Sequence, residues 1–80
     1  MFFVYVLKSQ KDNGFYIGQT NNLLSRIQRH NEGRVKSTKY RIPFILVYSE
    51  KYATRGEAVA REKYLKSLKG NKVFKNIIGM

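Results

Sequence analysis

Residues 2–20 read FFVYVLKSQKDNGFYIGQT, and this stretch decides the fold. Phe2 to Lys8 is aromatic and β-branched, too short for a globular helix and apolar on both alternating faces, so a strand buried on both sides is expected. Asp12-Asn13-Gly14 supplies turn chemistry, because Asn and Gly tolerate positive φ. Phe15 to Gly18 then forms a second short strand, antiparallel to the first. A two-residue Asn13-Gly14 loop pairs residues whose numbers sum to an odd value, which puts Tyr5 and Tyr16 on one face of the sheet. Strand tyrosines are mostly core or rim packing with a satisfied hydroxyl, so the juxtaposition alone carries no function.

Beyond the hairpin, Thr20 or Asn21 can cap a helix that runs to about Glu32, with Leu23, Leu24 and Ile27 at helical spacing and Gly33 as its stop. Residues 34–41 (RVKSTKYR) are basic and irregular, and Pro43 sits where a third strand, Phe44 to Tyr48, begins. Thr54 and Glu57 make a capping box, so a second helix is expected from there to about Lys69, closed by Gly70. Val73, Phe74, Ile77 and Ile78 then fit a short C-terminal helix docked on the core. A hairpin followed by helix, strand, helix and short helix argues for an α+β domain: a small three-stranded antiparallel sheet flanked by helices.

The chain has 80 residues, one domain's worth over residues 1–80, with enough apolar material (42%) for a core. It has no Cys, which excludes disulfides, thiolate zinc sites and cysteine nucleophiles. Sixteen Lys and Arg against five Asp and Glu give a net charge of +11, spread over both halves, which favours a polyanion such as DNA or RNA as partner. The apolar runs are far shorter than the roughly 20 residues of a membrane-spanning helix. With no secretory signal at the N-terminus, the expected location is the cytoplasm.

Chemistry is narrowed by elimination. A Ser-His-Asp triad would need the single His30 beside Asp12, which the turn occupies. Neither a dinucleotide-binding nor a P-loop glycine motif occurs. Five carboxylates supply a two-metal site poorly, so at most one metal is expected. Asp12 belongs to a turn, Glu57 to a cap, Glu32 to a helix end, and Glu50 trails off the third strand. Glu62 differs: four residues after Ala58 and three before Leu65, it falls on the stripe that faces the core. A carboxylate there needs a cation beside it, a neighbouring Arg or a metal, unless it peers out at the edge of the stripe. Arg26 and His30, four apart, project from one side of the first helix and offer a permanent cation and a proton acceptor. Taken alone, they also fit a solvated helix edge whose His complements the helix dipole.

Phe3-Val4-Tyr5, Tyr16-Ile17-Gly18, Arg26 with His30, and Glu62 within Ala60-Arg61-Glu62-Lys63 together resemble the GIY-YIG endonuclease family over nearly the whole chain. The resemblance implies metal-dependent hydrolysis of a DNA phosphodiester by one divalent ion, Mg2+ or Mn2+. By the same resemblance Tyr5 and Tyr16 are the motif phenols, one of which helps to activate the attacking water, and Gly18 is the glycine that ends the second motif. Arg26 steadies the phosphate, His30 relays a proton, and Glu62 is the sole carboxylate metal ligand. Three departures stand out: the first motif lacks its name-giving glycine, Gln19 stands where some relatives carry a lysine, and either Asn71 or Asn76 is available as a late polar residue. The expected substrate is DNA, branched, damaged or foreign, met alone or with a larger repair or restriction partner. The competing class is a catalytically silent nucleic-acid-binding or repair-adaptor module of the same fold.

Overall fold

A computed structural model describes residues 1–80. The elements run β1 (Phe2–Ser9), β2 (Phe15–Thr20), α1 (Leu23–Asn31), β3 (Phe44–Tyr52), α2 (Arg55–Ser67) and α3 (Lys72–Ile77). β1 lies in the middle of the sheet, antiparallel to both neighbours in the order β2-β1-β3. A central strand with helices on both faces has no solvent side, which is why FFVYVL lacks polar alternation: Val4, Tyr5, Val6 and Leu7 are all buried. Val4 and Val6 point to one face and join Ala58, Leu65, Phe74 and Ile78 from α2 and the α3 region. Tyr5 and Leu7 point to the other, against Phe44, Leu23 and Ile27. The body measures 29 × 28 × 18 Å. No helix is long and apolar enough to cross a membrane.

The hairpin loop is longer than expected. Pairing ends at Lys8 opposite Phe15, so the connection is wider than Asn13-Gly14. The Ser9 hydroxyl accepts the amide N–H of Lys11 and Asp12, the Asp12 carboxylate accepts that of Gly14, and Gln10 N–H donates to the Pro43 carbonyl. These bonds satisfy backbone groups that a tight turn would have paired within the ladder. The odd pairing parity survives, with Tyr5 opposite Gly18 and Leu7 opposite Tyr16.

Asn22, rather than Thr20 or Asn21, caps α1, accepting the Ser25 N–H at 3.1 Å. Thr20 instead accepts the Asn22 N–H, one step upstream. At the far end Gly33 adopts φ 74°, and the N–H groups of Gly33 and Arg34 reach back to the carbonyls of His30 and Arg29, closing the helix. Leu24 does not belong to the buried stripe, being 81% exposed. The stripe runs through Leu23, Ile27 and His30, so an imidazole occupies the core-facing place and the solvated-edge reading of His30 fails.

β2 runs on to Thr20 and β3 to Tyr52, the latter with a bulge opposite Val6 and Leu7. Glu50 therefore lies within β3 instead of trailing from it. Its carboxylate accepts the Tyr52 hydroxyl at 2.6 Å, the Tyr48 hydroxyl, and both arms of the Arg61 guanidinium at 2.9 and 3.0 Å. Burial pushes this carboxyl up, and the Arg61 fork with the two phenols outweighs it, holding Glu50 below the usual carboxylate range. The same bonds fasten α2 to β3. The Thr54–Glu57 capping box forms, but α2 ends at Ser67, before Lys69 and Gly70 turn to positive φ. Asn71 caps α3, its Oδ1 accepting the Phe74 N–H, and both Asn71 and Asn76 are exposed.

Candidate active site

Tyr5 extends from the centre of β1 across its neighbour β2. The residue opposite is Gly18, where a Cβ would stand 2.5 Å from the Tyr5 hydroxyl oxygen and 2.6 Å from Cζ. Only glycine leaves room for the ring to lie over the β2 backbone. On the other side the phenol meets α1: Arg26 Nε donates to its oxygen at 3.4 Å, and His30 Nε2 lies 3.1 Å away. Arg26 and His30 reach one atom because residues four apart on a helix share a face. Tyr16, from the same face of the sheet, stacks edge-on against His30 with ring centres 4.8 Å apart and lies 6.2 Å from Tyr5.

Burial governs the protonation of this group. Tyr5 is 1% exposed, and desolvation pushes its phenol above the ordinary value of 10.0. The Arg26 hydrogen bond opposes that rise, while the charges of Tyr16 and Glu62 add to it. His30 is 0% exposed, and burial first, then the Arg26 charge, pulls its imidazole from 6.5 down to about 4. It is therefore neutral at pH 7. Arg26 keeps its charge, reinforced above its usual value by the bond to Tyr5. Its guanidinium also forms part of the wall of a polar hollow of about 240 Å3, with Thr20, Ser25 and Arg29, on the open side of α1.

Tyr5, Tyr16, Arg26 and His30 are thus brought into one cluster. Glu62 arrives from the opposite face of the sheet, on α2. Ala58 and Leu65 take the core positions, and Glu62 stands at the edge of that stripe with its side chain 18% exposed. Its balancing cation is Lys66, at 2.7 Å, and not an Arg: Arg61 is committed to Glu50. No hydrogen bond joins Glu62 to the tyrosine cluster, but its charge bears on the ionisation of Tyr5.

Two participants carried no signal in the sequence. Lys66 looks like any helix-surface lysine. Thr38, in the stretch taken for an irregular basic loop, is 1% exposed with its Oγ1 2.8 Å from His30 Nδ1. That loop is in fact a series of turns, with Thr38 and Lys39 N–H both on the Val35 carbonyl and the Arg41 carbonyl held by the Ser9 hydroxyl at 2.6 Å. Arg41 itself pairs with Asp12 at 2.8 Å.

The family model of the GIY-YIG catalytic domain matches residues 1–76. The chain belongs to the GIY-YIG family. Among its relatives, the UPF0213 protein YazA of Bacillus subtilis is 45% identical over 67 residues, covering 82% of this chain and 67% of that protein. The UPF0213 protein SH2523 of Staphylococcus haemolyticus is 41% identical over 76 residues, 94% and 92% of the two chains. The UPF0213 protein CPE1444 of Clostridium perfringens is 47% identical over 72 residues, 89% and 76%. No solved structure matches the chain. GIY-YIG membership implies nuclease activity, and such nucleases generally use a divalent metal.

The donors present fit a hard ion held mainly by water and substrate. No group of three His, Cys, Asp or Glu exists to make an all-protein cage, and His30 has both ring nitrogens engaged. One carboxylate completed by waters and phosphate oxygens would suit a hard divalent ion and not a softer metal that demands imidazole or thiolate.

Proposed function

We propose that residues 1–80 form one nuclease domain that hydrolyses DNA phosphodiester bonds with a single divalent ion. The observation that supports this most directly is the Tyr5 phenol suspended between a guanidinium and a neutral imidazole. A buried phenol with a raised pKa is not a resident phenolate, so Tyr5 acts by passing a proton on. As the attacking water gives a proton to the Tyr5 oxygen, the phenol's own proton moves to His30 Nε2, 3.1 Å away. An incoming phosphate helps this transfer, because its negative charge offsets the Arg26 charge that depresses His30. Arg26, open to solvent on its hollow side, donates to the non-bridging phosphate oxygens. Glu62 would hold the divalent ion, which would supply charge stabilisation to the reacting phosphodiester. Tyr16 packs edge-on against His30 and confines the ring. The +11 charge, with Arg34, Lys36 and Lys39 on the turns beside the site, attracts the DNA backbone.

Glu62→Gln tests the assignment. The variant should fold, bind duplex DNA about as well as the wild type, and fail to relax supercoiled plasmid in Mg2+ or Mn2+, whereas wild-type cleavage should stop with EDTA and return with metal. A panel of branched and damaged duplexes beside the plasmid identifies the preferred substrate. A folded Glu62→Gln protein with full metal-dependent cleavage would sink the metal-ligand role. A wild type that binds DNA yet cuts nothing on the panel would make the chain a silent binding module.

A further inference from the structure

The polar chain behind the tyrosine cluster fixes a detail that decides whether His30 can accept a proton at all. A neutral imidazole carries its hydrogen on one nitrogen only, and the bond made by the other nitrogen sets which. His30 Nε2 faces the Tyr5 hydroxyl and Nδ1 faces Thr38 Oγ1. Two arrangements of protons are conceivable. With the hydrogen on Nε2, His30 would donate to Tyr5, whose oxygen already accepts from Arg26. The Tyr5 O–H, on a residue 1% exposed, would then have no acceptor among the protein groups around it, at a cost of about 1–3 kcal/mol. With the hydrogen on Nδ1, every donor is used. Tyr5 donates to the bare Nε2, Nδ1 donates to Thr38 Oγ1, and the Thr38 hydroxyl donates to the Val35 carbonyl at 3.4 Å.

We propose that Thr38 is a positioning residue that holds His30 as the Nδ1–H tautomer, so that the nitrogen facing Tyr5 is the one able to accept a proton. Thr38 suits this task. Its N–H bonds to the Val35 carbonyl and its carbonyl accepts the Arg41 N–H, each within 3.0 Å, so both ends of its backbone are tied down. Its hydroxyl can accept from the ring only while its own proton is directed at Val35. A hydroxyl side chain at this point is needed, and an apolar one of the same shape would leave Nδ1–H without an acceptor. The catalytic consequence rests on the proton-relay reading above, but the tautomer does not.

The experiment uses the full chain with 15N-labelled histidine, and His30 is the only one. At pH 7 the wild type should give a pyridine-type shift at Nε2 and a pyrrole-type shift at Nδ1. Thr38→Ser should keep this pattern and cleave within a few-fold of wild type. Thr38→Val, and Thr38→Ala should the Val variant not fold, should lose or reverse the pattern and cut about 10–100-fold more slowly at unchanged DNA affinity. A bare Nδ1 in the wild type overturns the proposal, as does a hydroxyl-free variant with the wild-type spectrum and rate. Should the wild type cut nothing while its spectrum is as expected and changes in the hydroxyl-free variant, the tautomer assignment stands and the nuclease reading falls.

Discussion

Alternate residues of β1 build the two faces of the sheet, and the faces are chemically opposite. Val4 and Val6 sit among Ala58, Leu65, Phe74 and Ile78, a cluster with no polar side chain. Tyr5 and Leu7 sit beside His30 and Thr38, and Ser9 continues the same side. All three buried polar residues, Ser9, His30 and Thr38, belong to this second side. The pleat of one strand thus puts the apolar packing on one side and the tyrosine cluster on the other, with Glu62 standing on the apolar side. It also couples them, since a register slip of one residue would turn Tyr5 into the apolar core and Val4 or Val6 into the site.

The largest effect is expected on the apolar face. Phe74→Ala removes a ring buried against Phe15 and should cost about 3–5 kcal/mol, a large part of the stability of a domain this small. Urea titration should show it, and cleavage should disappear only in proportion to unfolded protein. Wild-type stability in this variant would break the division of labour.

Tyr5→Phe should give the reverse pattern. Cleavage should fall by about 10²–10⁴, the usual contribution of a proton-transferring group, while the melting temperature moves far less than in Phe74→Ala. A collapse of folding would mean that the polar face holds the structure together as well.

Acid should act through the same face. His30 is neutral when folded, with its pKa at about 4 against an ordinary 6.5, so the unfolded chain binds the proton first. The stability from His30 is complete above pH 6.5 and is lost as pH falls toward 4. Asp12, held down to about 2 by Arg41, loses its contribution only below its ordinary 3.8, so the two windows do not overlap. Urea midpoints for wild type and His30→Gln between pH 7 and 4 should converge as the pH falls. Parallel curves would show that His30 is not the acid-sensitive group.

The smallest effect belongs to the rim of the apolar side. Thr54→Ala opens the capping box of α2 and should cost about 1 kcal/mol by thermal melt, with the cleavage rate per folded molecule unchanged. A rate change at constant folding would mean that the start of α2 influences where Glu62 stands.

How much of this the sequence disclosed follows from the range of the interactions involved. The central strand was legible because burial on both sides erases alternation within FFVYVL, a local property. The capping box was legible for the same reason: Thr54 and Glu57 satisfy each other. The hairpin loop was not, because its length is settled by a Ser9 hydroxyl and by Arg41, which reaches Asp12 from the far end of another loop. Spacing alone fits His30 to a solvated helix edge because Leu24 is the more apolar candidate for the stripe, and only the sheet's position shows that residues 23, 27 and 30 face it. Pairing parity sets Tyr5 and Tyr16 on one face, and the family resemblance points to Arg26 and His30, which join them, and to Glu62, which the structure leaves on the other side of the sheet. Thr38 and Lys66 lay beyond either argument: each owes its place to one atom of a partner that no periodicity marks.

The dimensions of the body carry a consequence for the product. Its longest extent, 29 Å, is shorter than one turn of B-form duplex, about 34–36 Å. A body this small holds a single Tyr5 cluster, so under the proposed reaction one copy would break one strand per encounter and leave the opposite strand whole. A closed circle cut in this way should pass first to an open circle with a break in one strand. Full-length linear molecules arise only from a second, independent arrival close to the first, so their amount should rise with the square of early reaction time while open circles rise linearly.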